Sequence, residues 1–339
     1  MTTSPFSRAG GIVLVLAAAF LTLGAGAGGQ STTTSTKPPP AIGPLPVKVS
    51  HDVKYGSAGG HDLLLDTYVP DDTNAERVSV FLIHGGAWRT GDKRNVADVA
   101  TRMAQRGWVV FAVNYRLSEP EAFPAEIDDV QTAVRWARLN AYDYRLDPGL
   151  MGALGFSAGG HLAAMLATLG EGPPDRGARI LVAASWSGPM DLTALAGGDA
   201  APLSALLLPC PPATCPDRWN QASPITHVDP TDAPLLLANS TDELVPLDQA
   251  QAMATRLEGV GVAHQLVVVP GSRHGADLVD DVWPQTEAFL SHYLTRPEDL
   301  RDPNPYGTWV LLVVIAIVVI GGVIGGLRVR RRLNRAASP

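Results

Sequence analysis

Short apolar, β-branched runs alternate along this chain with longer amphipathic stretches. The runs at 78–83, 109–113, 150–154, 180–186, 235–239 and 265–269 read as buried strands. The stretches at 95–106, 125–140, 158–169, 247–258 and 283–294 carry the helical period between them. The alternation predicts the α/β class, a mostly parallel sheet covered by helices on both faces. Segments around 53–55 and 63–68 predict an antiparallel meander leading into the sheet. Residues 192–224, rich in Pro, Leu and Ala, fit neither period and predict a short lid-like excursion. No internal repeat is present.

The two ends follow other rules. Residues 10–29 are uncharged and apolar behind a leader containing Arg8, and Ala25-Gly26-Ala27 offers the small residues a signal peptidase prefers. A signal peptide over 1–27 is expected; left uncut, the stretch is long enough to span a bilayer. Residues 308–327 hold no charge and are rich in Val, Ile and Leu, and Arg328, Arg330, Arg331, Arg332 and Arg335 follow. This is the pattern of one transmembrane helix with a cytoplasmic tail at 328–339, which leaves everything before it outside the cytoplasm. A Ser/Thr/Pro-rich spacer at 28–46 and a linker at 298–307 bound a folded unit at 47–297.

Charge narrows the choice of partners. Residues 51–307 hold all 33 acidic residues and 18 of the 26 basic ones, a formal charge of −15, which disfavours nucleic acid. The two cysteines, Cys210 and Cys215, are too few to build a fold, and an extracytoplasmic location favours one local disulfide between them. The sequence leaves the oligomeric state open.

Candidate chemistry centres on Gly155-Phe156-Ser157-Ala158-Gly159, a Gly-x-Ser-x-Gly elbow between a strand and a helix. A sharp turn there lifts the serine out of the sheet, and glycines flank it because a Cβ would clash. A serine hydroxyl needs a base and oxyanion donors. Of three histidines near the C-terminal end, His264 opens a strand and His292 lies in a helix. His274 sits in the loop leaving the last strand and is the expected base. Asp242 is expected as the acid because it comes first after the strand at 235–239, with Glu243 as its competitor. The amides of Gly86, Ala87 and Ala158 are the expected oxyanion donors. Trp88 and Phe156 are candidate pocket walls.

Several longer stretches carry a resemblance. They are His84-Gly85-Gly86-Ala87-Trp88-Arg89-Thr90-Gly91-Asp92-Lys93, Val113-Asn114-Tyr115-Arg116-Leu117, Phe123-Pro124-Ala125-Glu126-Ile127-Asp128-Asp129-Val130, the elbow continuing through Gly160-His161, Ala222-Ser223-Pro224-Ile225-Thr226-His227-Val228, and Asp242-Glu243-Leu244-Val245-Pro246. In this order the chain resembles an α/β-hydrolase of the esterase/lipase group. It is most similar to the bacterial feruloyl-esterase-like (BD-FAE) branch, near the hormone-sensitive-lipase-like carboxylesterases. The resemblance implies a serine ester hydrolase using Ser157, Asp242 and His274, with no metal or cofactor. The short excursion at 192–224, with no large cap, favours small or surface-accessible esters. An amide hydrolase, an exopeptidase-like relative and a catalytically silent binding module are the alternatives. Two departures stand out: Ala87 where related esterases often carry a third glycine, and Asn239-Ser240 in place of the usual His-Gly.

Overall fold

The structure is a computed structural model that describes residues 44–71, 77–118, 123–170, 175–197 and 201–295. The expected leader, most of the first spacer, the second linker, the membrane helix at 308–327 and the basic tail lie outside the described residues. Among the described residues no helix is long and apolar enough to cross a membrane.

Eight strands form one sheet: β1 (Val47–Ala58), β2 (His61–Pro70), β3 (Arg77–Ile83), β4 (Val109–Val113), β5 (Leu146–Phe156), β6 (Val182–Trp186), β7 (Leu235–Ser240) and β8 (His264–Val269). Their spatial order is β1-β2-β4-β3-β5-β6-β7-β8. The first two pairings, β1 with β2 and β2 with β4, are antiparallel, and all others are parallel. The expected meander is therefore present, with longer strands than its apolar core suggests. Gly59 and Gly60, both at positive φ, close the β1–β2 hairpin in the two-residue turn that glycine permits.

The helices are α1 (Ala97–Ala104), α2 (Ala125–Leu139), α3 (Ala141–Tyr144), α4 (Ala158–Thr168), α5 (Leu192–Ala196), α6 (Ala201–Ser204), α7 (Pro216–Gln221), α8 (Pro224–His227), α9 (Leu247–Val260) and α10 (Val279–Leu294). Strand alternation sorts the core into two layers. Phe81, Ile83, Phe111 and Val113 face the layer shared with α2, α4 and α9. Val80, Leu82, Val110 and Ala112 face the layer shared with α1 and α10. Helix α4 is buried at every position, polar His161 and Thr168 included. Helix α10 begins four residues before its expected start. Pro284 lies inside it, and the carbonyl its missing N–H would have met belongs to exposed Asp280.

The 192–224 excursion folds into the four short helices α5 to α8, and Cys210 and Cys215 form a disulfide within it. The indole Nε1 of Trp219 donates to the Cys210 carbonyl at 2.8 Å, tying that loop to α7.

A charged pair and a buried carboxyl lie at the start of α2. The Arg116 guanidinium donates to both carboxylate oxygens of buried Asp129, which also accepts from the Arg116 amide. One turn earlier on α2, Glu126 is fully buried, and the Ser118 hydroxyl, which donates to the Trp88 carbonyl, and the Glu126 amide offset that burial only in part. Burial pushes this carboxyl up to about 7. A carboxyl raised in the folded state holds its proton while the unfolded chain has lost it. The fold therefore loses stability as pH rises from about 4.5 to about 7, and the loss is then complete. The difference corresponds to about 3 kcal/mol. Glu126→Gln should abolish this component: in urea unfolding, the variant's gain over wild type should be larger at pH 8 than at pH 4.5. An equal gain at both pH values would show that Glu126 ionises freely.

Candidate active site

The site lies at the carboxyl ends of β3, β5, β7 and β8. Ser157 follows β5 directly, at φ 54° and ψ −118°, a region that L-residues avoid. Such a conformation costs of the order of 1–3 kcal/mol and persists only where its surroundings enforce it. Here the Ser157 amide donates to the Trp186 carbonyl at 2.8 Å, and its carbonyl accepts from the His161 amide at 2.9 Å. The flanking glycines have no substitute. A Cβ on Gly155 would overlap the Gly159 carbonyl, and one on Gly159 would overlap the carbonyl of Ile83.

The loop after β3 comes to rest beside Ser157. A Cβ on Gly85 would lie 3.2 Å from the Ser157 Cβ. Gly86 lies at φ 117°, Ala87 at 51° and Trp88 at 60°, so three successive residues turn in the left-handed half of backbone space. Gly85, Gly86, Ala87, Phe156, Ser157, His274 and Gly275 line one cavity of about 430 Å³, together with Thr90, Asn95, Val96, Leu203, Leu244 and Ala276. Ala158 opens α4 directly behind Ser157. The structure thus gathers Ser157, His274, Phe156, Gly86 and Ala87 around one space; Ala158 is buried in α4 and does not line it.

Two sequence expectations need correction. The carboxylate that meets His274 belongs to Glu243: its Oε2 lies 2.5 Å from His274 Nδ1, and its side chain is fully buried. Asp242 is exposed. The cause is the length of the β7–β8 ladder. Beyond Ser240, the Thr241 amide still donates to Val269 and the Asp242 amide to Gly271, so the strand pattern carries Asp242 outward. The turn comes one residue later, and the longer glutamate folds back so that its Oε1 accepts from the Ser240 amide at 2.6 Å. Trp88 is the second correction. It is almost fully buried and takes no part in lining the cavity. Its indole packs edge-on against His161, with ring centroids 5.2 Å apart.

Some supporting residues carried no local signal. Ser187, itself at φ 56°, accepts at its Oγ from the Gly275 amide at 2.8 Å. The Ser240 hydroxyl donates to the Arg273 carbonyl at 2.6 Å. Together they fix both sides of His274. His84 is buried beside the loop, its Nδ1 2.7 Å from the Gly85 carbonyl and its ring stacked on Tyr115 at 4.5 Å. Burial lowers its pKa, which keeps it neutral as a packing element. Among the described residues no cluster of three His, Cys, Asp or Glu side chains could hold a metal ion.

With its Nδ1 against Glu243, His274 has Nε2 left for the space it shares with Ser157. Fold and site together place the chain in the α/β-hydrolase class. A family model, BD-FAE, matches residues 65–257, over half of the chain, and the protein belongs to this esterase family. Two proteins of Mycobacterium tuberculosis are 31% identical to it. One, named "Probable carboxylic ester hydrolase LipM", matches over 75% of this chain and 63% of its own length. The other, named "Esterase LipQ", matches over 68% and 58%. The chain thus spans under two thirds of each relative. Among solved structures, a truncated carbohydrate esterase from gut microbiota superposes with a TM-score of 0.66 at 26% identity, covering 76% of this chain and 99% of that one.

The Glu243 pairing has a direct spectroscopic consequence. In proton NMR, the imidazole Nδ1–H held by a carboxylate should give a far-downfield resonance that Glu243→Gln removes and Asp242→Asn retains. The reverse pattern would return the acid role to Asp242.

Proposed function

We propose that this protein is a serine carboxylesterase that works through an acyl-enzyme. The observation that carries the reading is Ser157 on its left-handed turn, sharing a cavity with a histidine whose Nδ1 is held by buried Glu243. The esterase names of LipM and LipQ support the same chemistry.

In this reading Nε2 of His274 takes the Ser157 hydroxyl proton as Oγ attacks the ester carbonyl. Negative charge gathers on the former carbonyl oxygen, where the amides of Gly86, Ala87 and Ala158 stabilise it. The protonated His274 is stabilised by Glu243, then passes its proton to the departing alkoxide. Water activated by the same nitrogen cleaves the acyl-enzyme and regenerates Ser157. Glu243 sets the tautomer throughout.

The cavity suits an ester of modest size, within the range usual for small-molecule sites. Val96, Phe156, Leu203 and Leu244 give it apolar walls, and Thr90 and Asn95 are its polar side chains besides Ser157 and His274. Among the described residues no Lys, Arg, Asp or Glu side chain lines it, which favours neutral acyl and alcohol groups over ionic ones. We further propose, from the apolar run at 308–327 and the arginines behind it, that the catalytic unit is anchored to a membrane and faces away from the cytoplasm.

The chemistry is tested on the full chain with a graded series of aryl esters, amides and acyl-peptides. Ser157→Ala should abolish ester cleavage. Glu243→Gln should lower kcat by roughly 10³- to 10⁴-fold, as loss of the orienting carboxylate does in such triads. Asp242→Asn should stay close to wild type. Ester cleavage that survives Ser157→Ala would refute the mechanism, amide cleavage exceeding ester cleavage would make it an amidase, and inactivity on the whole series would leave a binding module. For location, the full chain should sediment with membranes and a version ending at Pro297 should not. Recovery of both in the soluble fraction would remove the anchor at 308–327.

A further inference from the structure

The fully buried His161 is not explained by the triad. It lies one turn into α4, and its amide donates to the Ser157 carbonyl. Its ring bridges two segments that are distant in sequence. Nδ1 lies 3.2 Å from Trp88 Nε1, in the oxyanion loop, and Nε2 lies 2.7 Å from the Ala222 carbonyl, between α7 and α8 of the lid.

Hydrogen-bond chemistry leaves this ring one arrangement. An indole N–H can only donate and a carbonyl can only accept, so Nδ1 must be bare and Nε2 must carry the hydrogen. A second proton on Nδ1 would face the indole N–H. Burial agrees with that demand, lowering the His161 pKa to about 4 and keeping the ring neutral.

The bond to Trp88 reaches a strained place. Ala87 and Trp88 both hold left-handed angles, and Ala87 supplies one of the amides assigned to the oxyanion. The Trp88 carbonyl is fixed from one side, accepting from the Ser118 amide at 2.8 Å and from its hydroxyl at 3.0 Å. The Trp88 side chain is fixed from the other side by His161. A second strap, Arg89 Nε to the Leu206 carbonyl at 3.1 Å, also joins this loop to the lid.

We propose that His161 is a positioning residue, coupling the turn between α7 and α8 to the oxyanion loop through the Trp88 indole. It touches no substrate. Its ring holds the loop amides in the register that meets the oxyanion, and it does so only while Ala222 of the lid is in place. This inference rests on the ester-hydrolase reading above.

The test measures kcat and KM per active site for the full chain, with active sites counted by phosphonate labelling of Ser157. Trp88→Phe keeps the ring and removes the N–H. It should lower kcat by about 10- to 100-fold, less than outright loss of an oxyanion donor, and move KM by less than about threefold. His161→Leu should do the same, and the double variant should fall little further than either single one, because both break one link. His161→Asn, whose Oδ1 can accept from the indole, should recover part of the loss. A merely structural role would lower the melting temperature and the number of labelled sites and leave kcat per site unchanged; that result, or additive losses in the double variant, overturns the proposal. If His161→Leu does not fold, Trp88→Phe still decides the matter. Wild-type protein that neither labels with phosphonate nor cleaves esters refutes the esterase reading and this proposal together. Labelled, active wild type beside fully active variants refutes the positioning role alone.

Discussion

The left-handed turn at Ser157 is the constraint on which the rest of the structure depends. It exists because three backbones meet with no side chain between them. Gly155 lies against the Gly159 carbonyl, Gly159 against the Ile83 carbonyl, and Gly85 against Phe156 and Ser157. One Cβ at these contacts would separate β3, β5 and α4. The helix that follows is built for the same closeness, with alanine and glycine filling its first turns and every position buried. The strain at Ser157 is therefore opposed by the central core of the domain. Ser157 is held by packing at the wall of the cavity.

The histidine arm has no such support. Strand β8 is the last in the sheet, and most of its residues are only half-buried. A loop leaving an edge strand lacks core packing to define it. Hydrogen bonds from the neighbouring strands do that work. Ser187, just past β6, holds Gly275, and Ser240 at the end of β7 holds Arg273, so His274 is gripped on both sides. Glu243 completes the set by binding the imidazole with one oxygen and the Ser240 amide with the other. Ser240 thus serves the acid and the base loop at once. The replacement of the usual His-Gly by Asn239-Ser240 shapes the site directly, and not only its packing.

What was legible in the sequence follows from how far each interaction reaches. The parallel strands and their helices were visible because periodicity is a local record of burial. The elbow was visible because its glycines answer a steric demand within five residues. The choice between Asp242 and Glu243 was not visible. It depends on whether β7 keeps pairing with β8 through Thr241 and Asp242, which is settled by residues some thirty positions away. Trp88 was misplaced for a similar reason. From the chain alone it borders a cavity, but its indole has a partner 73 residues downstream and turns into the core to reach it. Ser187 gave no sign because a lone serine after a strand is commonplace, and only its left-handed angle and its bond to Gly275 single it out.

Ala87 connects these themes. A glycine at this position would adopt φ 51° without penalty, whereas an L-residue there gives up roughly 1–2 kcal/mol. Its methyl also borders the cavity and takes space from whatever binds there. A loop carrying this strain relaxes unless it is fixed beyond the strained residue. The next residue, Trp88, is fixed through its carbonyl by Ser118 and through its indole by His161. The alanine narrows the site and makes the oxyanion loop depend on its anchors. One of those anchors, His161, depends in turn on the lid. The shape of the pocket and the stability of the loop amides are for that reason one problem, solved by the same few contacts.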